Sequence, residues 1–98
     1  MTHYELRGTF YLGDNLDQAA MTRRCDQLME HLLDLEGRLG TVQDPAIGLD
    51  MAARTVEVEL VITASSFIEA QSLASAAVKP ILNDDGQAQE RSMALVPA

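Results

Sequence analysis

The chain has a single cysteine, Cys25, so no disulfide can form within it and a disulfide-framed secreted module is excluded. Basic side chains are scarce. Lys and Arg number 7 against 15 Asp and Glu, and the formal net charge of the 98 residues is −8. Binding to nucleic acid draws most of its affinity from cations that neutralise phosphates, so this balance speaks against a nucleic-acid partner. An anionic membrane surface is repelled for the same reason. The basic residues (Arg7, Arg23, Arg24, Arg38, Arg54, Lys79 and Arg91) are scattered and form no stripe.

Much of the 47% hydrophobic fraction is alanine and aromatic residues are only 4%, so the core should be assembled from Leu, Val, Ile and Met and should be thin. The apolar runs are too short to span a bilayer. Met1 to Glu5 lacks the basic and apolar regions of a signal peptide, which makes a cytoplasmic location the default expectation. Nothing resembles a linker, and residues 1–98 read as one domain. A domain of this size buries somewhat over ~60% of the surface of its unfolded chain, enough for a core without staples.

What is present is hydrophobic periodicity. From Tyr4 to Leu12 the residues Tyr4, Leu6, Gly8, Phe10 and Leu12 share one face, and His3, Glu5, Arg7, Thr9 and Tyr11 the other. This period of two predicts a strand with one buried face. Gly13-Asp14-Asn15 ends it, and Asn15 with Gln18 three residues later forms a capping-box pattern. Met21, Cys25, Leu28, Leu32, Leu35 and Leu39, widened by Met29 and Leu33, then mark one face of a helix that Gly37 or Gly40 should stop.

Thr41 to Ala46 reads as a loop because of Pro45. Ile47, Leu49 and Met51 predict a short edge strand, and Ala52-Ala53 a turn. Thr55 to Thr63 is the clearest strand, with Val56, Val58, Leu60 and Ile62 facing one way and Glu57, Glu59 and Val61 the other. Ser66 and Glu69 repeat the capping box ahead of a second apolar stripe: Phe67, Ala70, Leu73, Ala74, Ala77, Val78, Ile81 and Leu82. Pro80 should kink or loosen the last turn, Asn83-Asp84-Asp85-Gly86 should end the helix, and Arg91 to Val96 predicts a last strand that Pro97 stops.

The order strand, helix, strand, strand, helix, strand resembles the ferredoxin-like βαββαβ superfold. The resemblance implies an α+β domain: a four-stranded antiparallel sheet with both helices on one face, and the second and fourth strands as its edges. It carries almost no information about activity, since this superfold hosts many unrelated functions.

Such a sheet sets its first and third strands side by side, so its open face would carry Arg7 and Tyr11 beside Glu57 and Glu59. RNA-recognition domains stack bases on aromatics at this place. Here Arg54-Thr55-Val56-Glu57-Val58-Glu59 puts carboxylates there instead. Glu57 and Glu59 share a face at roughly 6–7 Å along the strand, but no neighbour would split their affinities for protons as acid–base catalysis requires. They read as a solvated face with Arg7 as counter-charge.

Cys25 lies on an apolar stripe and reads as a small core thiol. His31 is about 120° around the helix from it, so the two form no dyad. No histidine has a ligand-spaced partner, and no glycine-rich loop opens a helix to cradle phosphate. No cofactor and no metal is expected.

Three functions compete. The first is a non-catalytic interaction or oligomerisation module whose partner is a second copy or another protein. Carboxylates on the open face would favour edge or helix contacts over stacked sheets. The second is a small-molecule sensor. ACT-type regulatory domains are similar in strand order and bind amino acids near the loop that corresponds to Gly13, Asp14 and Asn15, although the proline-glycine turn typical of them is missing. The third is a ferredoxin-like monooxygenase or isomerase, with a cavity left by the alanines of the second helix.

Overall fold

The computed structural model of the chain describes residues 1–83 and 88–98, with the side chains of Leu39 and Asn83 left out. Its elements are β1 (Thr2–Tyr11), α1 (Gln18–Leu39), β2 (Val42–Asp50), β3 (Thr55–Ala64), α2 (Phe67–Asn83) and β4 (Gln89–Pro97). The strands form one antiparallel sheet in the order β2-β3-β1-β4. The expected helix-ending turn after Asn83 lies outside the described residues.

The central pair runs in one unbroken register from Thr2 opposite Ala64 to Tyr11 opposite Thr55. Tyr4, Leu6, Phe10, Val56, Val58, Leu60 and Ile62 are thereby turned to one side, where all are buried. Met21, Leu28 and Leu32 of α1 and Ala70, Ala74, Ala77, Val78 and Ile81 of α2 close over them. No polar or charged side chain among the described residues is buried in this core. Gly8 is fixed by packing, for a Cβ there would lie 2.8 Å from the ring of the buried Phe10.

Four details differ from the sequence reading. First, α1 is capped by Asp17, not Asn15: its backbone is extended and its Oδ1 accepts the N–H of Ala20 at 2.7 Å. Leu16, just before the cap, packs against the core and anchors the end of the loop. At the other end Gly40, in the left-handed conformation at φ 64°, terminates the helix, and its N–H donates to the Glu36 carbonyl. Leu33, placed on the buried stripe by its spacing, is half exposed.

Second, the segment expected as a loop is already strand. Val42 is buried opposite Ile62, and the register then shifts between Gln43 and Ala46. The shift absorbs Asp44, at φ 54°, and Pro45, so the missing proline donor costs the ladder nothing. Asp44 donates its N–H to the Glu36 carboxylate at 2.9 Å, tying the bulge to α1. Met51 lies in the turn that follows, not on the strand. Third, β4 includes Pro97, opposite Tyr4, and the ladder resumes beyond it where Ala98 donates to the His3 carbonyl at 2.9 Å.

Fourth, Phe67 is 45% exposed and is the first residue of α2, its ring tilted against Tyr4 at 5.9 Å. Ser66 caps α2 as expected, accepting the Glu69 N–H at 3.1 Å, while the Glu69 carboxylate takes the Ser65 hydroxyl. Pro80 lies within this helix, which runs on to Asn83. Proline leaves the carbonyl four residues back, that of Ala76, without its helical donor. Nε2 of His31 in α1 lies 3.4 Å from that oxygen and supplies the missing donor.

This compensation is measurable. Replacing His31 by Ala should cost about 0.5–1 kcal/mol, the net worth of one hydrogen bond. In a Pro80→Ala background, where residue 80 regains its N–H, the same replacement should cost close to nothing. A double-mutant cycle by urea denaturation reads the difference, and equal costs in both backgrounds would disprove the pairing.

Candidate functional site

Three places bear on function: the open sheet face, the loop after β1, and the side of α2 that overlooks β4. On the open face the register sets Arg7 opposite Glu59 and Thr9 opposite Glu57. The Arg7 Nε donates to Glu5 Oε1 at 2.8 Å and lies 3.7 Å from Glu59 Oε1. The hydrogen bond to Glu5, with the charges of Glu5 and Glu59, raises the Arg7 pKa above its ordinary value. All three side chains are exposed, so the cluster is a solvated ion-pair ladder. Small residues flank it, Ala46 and Gly48 on β2 and Ser92 and Ala94 on β4, which makes the face a shallow trough.

Tyr11 does not join this cluster. It lies at the far end of β1, opposite Thr55, with the Arg91 guanidinium 4.6 Å from its ring centroid. The four residues read together from the sequence thus share a face but form two separate groups.

The loop after β1 is held by a residue the sequence reading passed over. Arg54, at φ 59° in the β2–β3 turn, donates from Nε to the Gly13 carbonyl at 2.7 Å and from its terminal nitrogen to the Leu16 carbonyl. Its own carbonyl accepts the Leu12 N–H at 2.8 Å. Gly13 is buried at φ 95°, a conformation suited to glycine, and Asp14 and Asn15 are exposed. The signal available in the sequence was position alone: an arginine ending a hairpin turn faces the end of the neighbouring strand.

The third place was also missed. Beside α2 the helix side of β4 is left partly open, with Met93 38% exposed. Two adjoining hollows of about 290 and 420 Å³ run along it and share Ser75 and Met93. Phe67, Ala74 and Leu95 line the first; Ala76, Val78, Lys79, Leu82 and Glu90 line the second. The small residues of α2 make this space, and it is an open groove, not an enclosed chamber. Its signal lay in Ser92-Met93-Ala94-Leu95-Val96, which carries no charge on either face of the strand.

Cys25 is half-buried against the core, and burial, with the nearby charge of Asp26, raises its pKa. Among the described residues no three His, Cys, Asp or Glu side chains are grouped to hold a metal ion. No described helix is long and apolar enough to cross a membrane.

No protein-family model and no curated protein matches the chain. Solved structures do. A dimeric protein of unknown function and ferredoxin-like fold from Bacteroides fragilis superposes with a TM-score of 0.64 at 16% identity, over 98% of this chain and 94% of that one. This fold is ferredoxin-like. A dimeric ferredoxin-like protein of unknown function from Thermobifida fusca gives a TM-score of 0.54 at 13% identity, over 99% of this chain and 90% of that one. A candidate antibiotic biosynthesis monooxygenase from Chloroflexus aurantiacus gives 0.57 at 13% identity, covering 99% of this chain and 93% of that one. At such identities the likeness is one of ferredoxin-like architecture alone.

Two measurements follow. Arg54→Ala should lower stability by about 2 kcal/mol, because two charge-assisted hydrogen bonds to partly buried carbonyls are lost and alanine is strained at positive φ. A urea midpoint equal to that of the unaltered protein would show that the loop is not held in this way. Cys25 should react with iodoacetamide more slowly than a free thiol at neutral pH, since its raised pKa leaves less thiolate, and should approach the free-thiol rate only in more alkaline buffer.

Proposed function

We propose that this protein is a non-catalytic module that acts by associating with itself as a homodimer. The observation that carries the reading is the exposed apolar strip along β4 and α2. On the helix side Met93 is 38% exposed beside Phe67, 45% exposed, and on the other side of the same strand Val96 is 51% exposed; among the described residues no strand pairs with its outer edge. An uncovered edge of this kind is normally blunted by charge, proline or a bulge. β2 has all three in Asp44, Pro45 and the shift after Gln43, whereas β4 has them only towards its ends, in Glu90 and Arg91, the shift beside them and Pro97, and none from Ser92 to Val96. The two structural neighbours from Bacteroides fragilis and Thermobifida fusca, both described as dimeric, support the same reading.

The rival readings have less to rest on. A sensor using Gly13, Asp14 and Asn15 would share its loop with Arg54, which already takes the carbonyls of Gly13 and Leu16. A monooxygenase or isomerase would use the groove beside α2, where Lys79 and Glu90 are the charged groups.

Sedimentation equilibrium over a concentration series tests the reading directly. A dimer is expected, tightening as ionic strength rises, because two chains of net charge −8 repel and salt screens that repulsion. A monomer at every concentration and salt level rules self-association out.

A further inference from the structure

The charge pattern identifies which surface two such acidic copies share. The open face presents Glu5, Glu57 and Glu59 around one Arg7, and the β2 edge presents Asp44 and Asp50. A second copy set against either brings carboxylate to carboxylate. From Ser92 to Pro97 β4 bears no charge, and the groove above it ends in one cation and one anion, Lys79 and Glu90, which add no net repulsion.

Resting on the self-association reading, we infer that β4 pairs antiparallel with β4 of a second copy about a two-fold axis through Ala94, normal to the sheet. Symmetry and chemistry together choose the register. In an antiparallel pair, residues opposite each other lie on the same face, so a two-fold axis passes through a residue and the permitted registers differ by steps of two. With the axis at Ala94, Met93 lies opposite the partner's Leu95 and Leu95 opposite the partner's Met93, on the helix side. Ser92 lies opposite the partner's Val96 on the open side.

An axis at Met93 would carry the pairing past Arg91 to Glu90, through the bulge opposite Thr9 and Phe10 where the alternation of β4 breaks. An axis at Leu95 would shorten the paired run, since β4 ends at Pro97. At the other end the register shift between Thr9 and Phe10, where Arg91 turns to Tyr11, bounds the seam and leaves the charges outside it. The product is one continuous eight-stranded sheet with four helices on one side. The grooves beside α2 of the two copies then face each other across Met93 and Leu95 of both strands, which are withdrawn from water.

The test uses the whole chain. Met93→Glu and Leu95→Glu should each weaken dimerisation by about 100-fold or more, because the axis makes every change count twice at the centre of the seam. The partial exposure of Met93 lets Met93→Glu keep its fold, which circular dichroism checks. In a Cys25→Ser background, Ala94→Cys should cross-link to a dimer under mild oxidation, since directly paired Cα atoms about 4.5–5.5 Å apart suit a disulfide. Glu59→Cys on the open face should not cross-link.

A wild-type dimer with Met93→Glu unchanged in affinity, or with Glu59→Cys cross-linking and Ala94→Cys not, overturns this interface while leaving self-association in place. A wild type that never dimerises removes both.

Discussion

The ten-residue register between β1 and β3 is the constraint on which the rest depends. It sets Leu6 opposite Leu60 and Phe10 opposite Val56 on the helix side, and Arg7 opposite Glu59 on the other. A slip of β3 by one residue would reverse its faces, driving Glu57 and Glu59 into the core and Val56, Val58, Leu60 and Ile62 into water. Burying even one unpaired carboxylate costs several kcal/mol, so the wrong register is excluded by charge as firmly as the right one is favoured by apolar burial. Once this pair is fixed, the connections through α1 and α2 place β2 beside β3 and β4 beside β1, and the two edges of the molecule are decided.

The same strand pair explains how close the helices come. Gly8 leaves room for the ring of Phe10, and α2 meets the sheet through Ala70, Ala74 and Ala77, all buried. Small residues let a helix approach closely but fill little space to the side. At Ala74, Ser75 and Ala76 the wall of α2 falls short of β4, and the groove over Met93 is the result. Polar strain is absorbed separately, within the helix pair. Pro80 frees the Ala76 carbonyl and His31, from the other helix, answers it.

Most of the architecture was legible because it is written in periods. The alternation in β1 and β3 and the stripes of α1 and α2 report burial directly, and they give the element order without any tertiary knowledge. The errors fall where a distant residue overrides a local signal. Asn15 looks like a cap, but the chain continues to Asp17 with the loop clasped by Arg54, about forty positions on in sequence. Pro45 looks like a loop, yet a bulge and a Glu36 carboxylate carry the strand through it. The open-face residues were placed correctly on one surface. That Arg7 and Glu59 pair while Tyr11 turns to Arg91 depends on rotamers and on the β4 bulge, which no periodicity records. The apolar strip was hidden for another reason: Met93 and Leu95 look like ordinary core positions, and only the width of α2 reveals that they are half-covered.

The unequal treatment of the two edges also explains how association through β4 would end at two copies. An edge strand is a template, and an acceptor that presents a fresh edge after each addition grows without limit. A two-fold axis at β4 would use that edge up in both copies and leave β2 as the outer boundary of the joined sheet. β2 is the edge that carries Asp44 at positive φ, Pro45 without a donor, a shifted register and Asp50. The net charge of −8 per chain acts in the same direction, because it opposes every contact that lacks a compensating apolar area. Acidity and the bulge thus act together against pairing at β2, so that the two edges of the sheet are not equivalent.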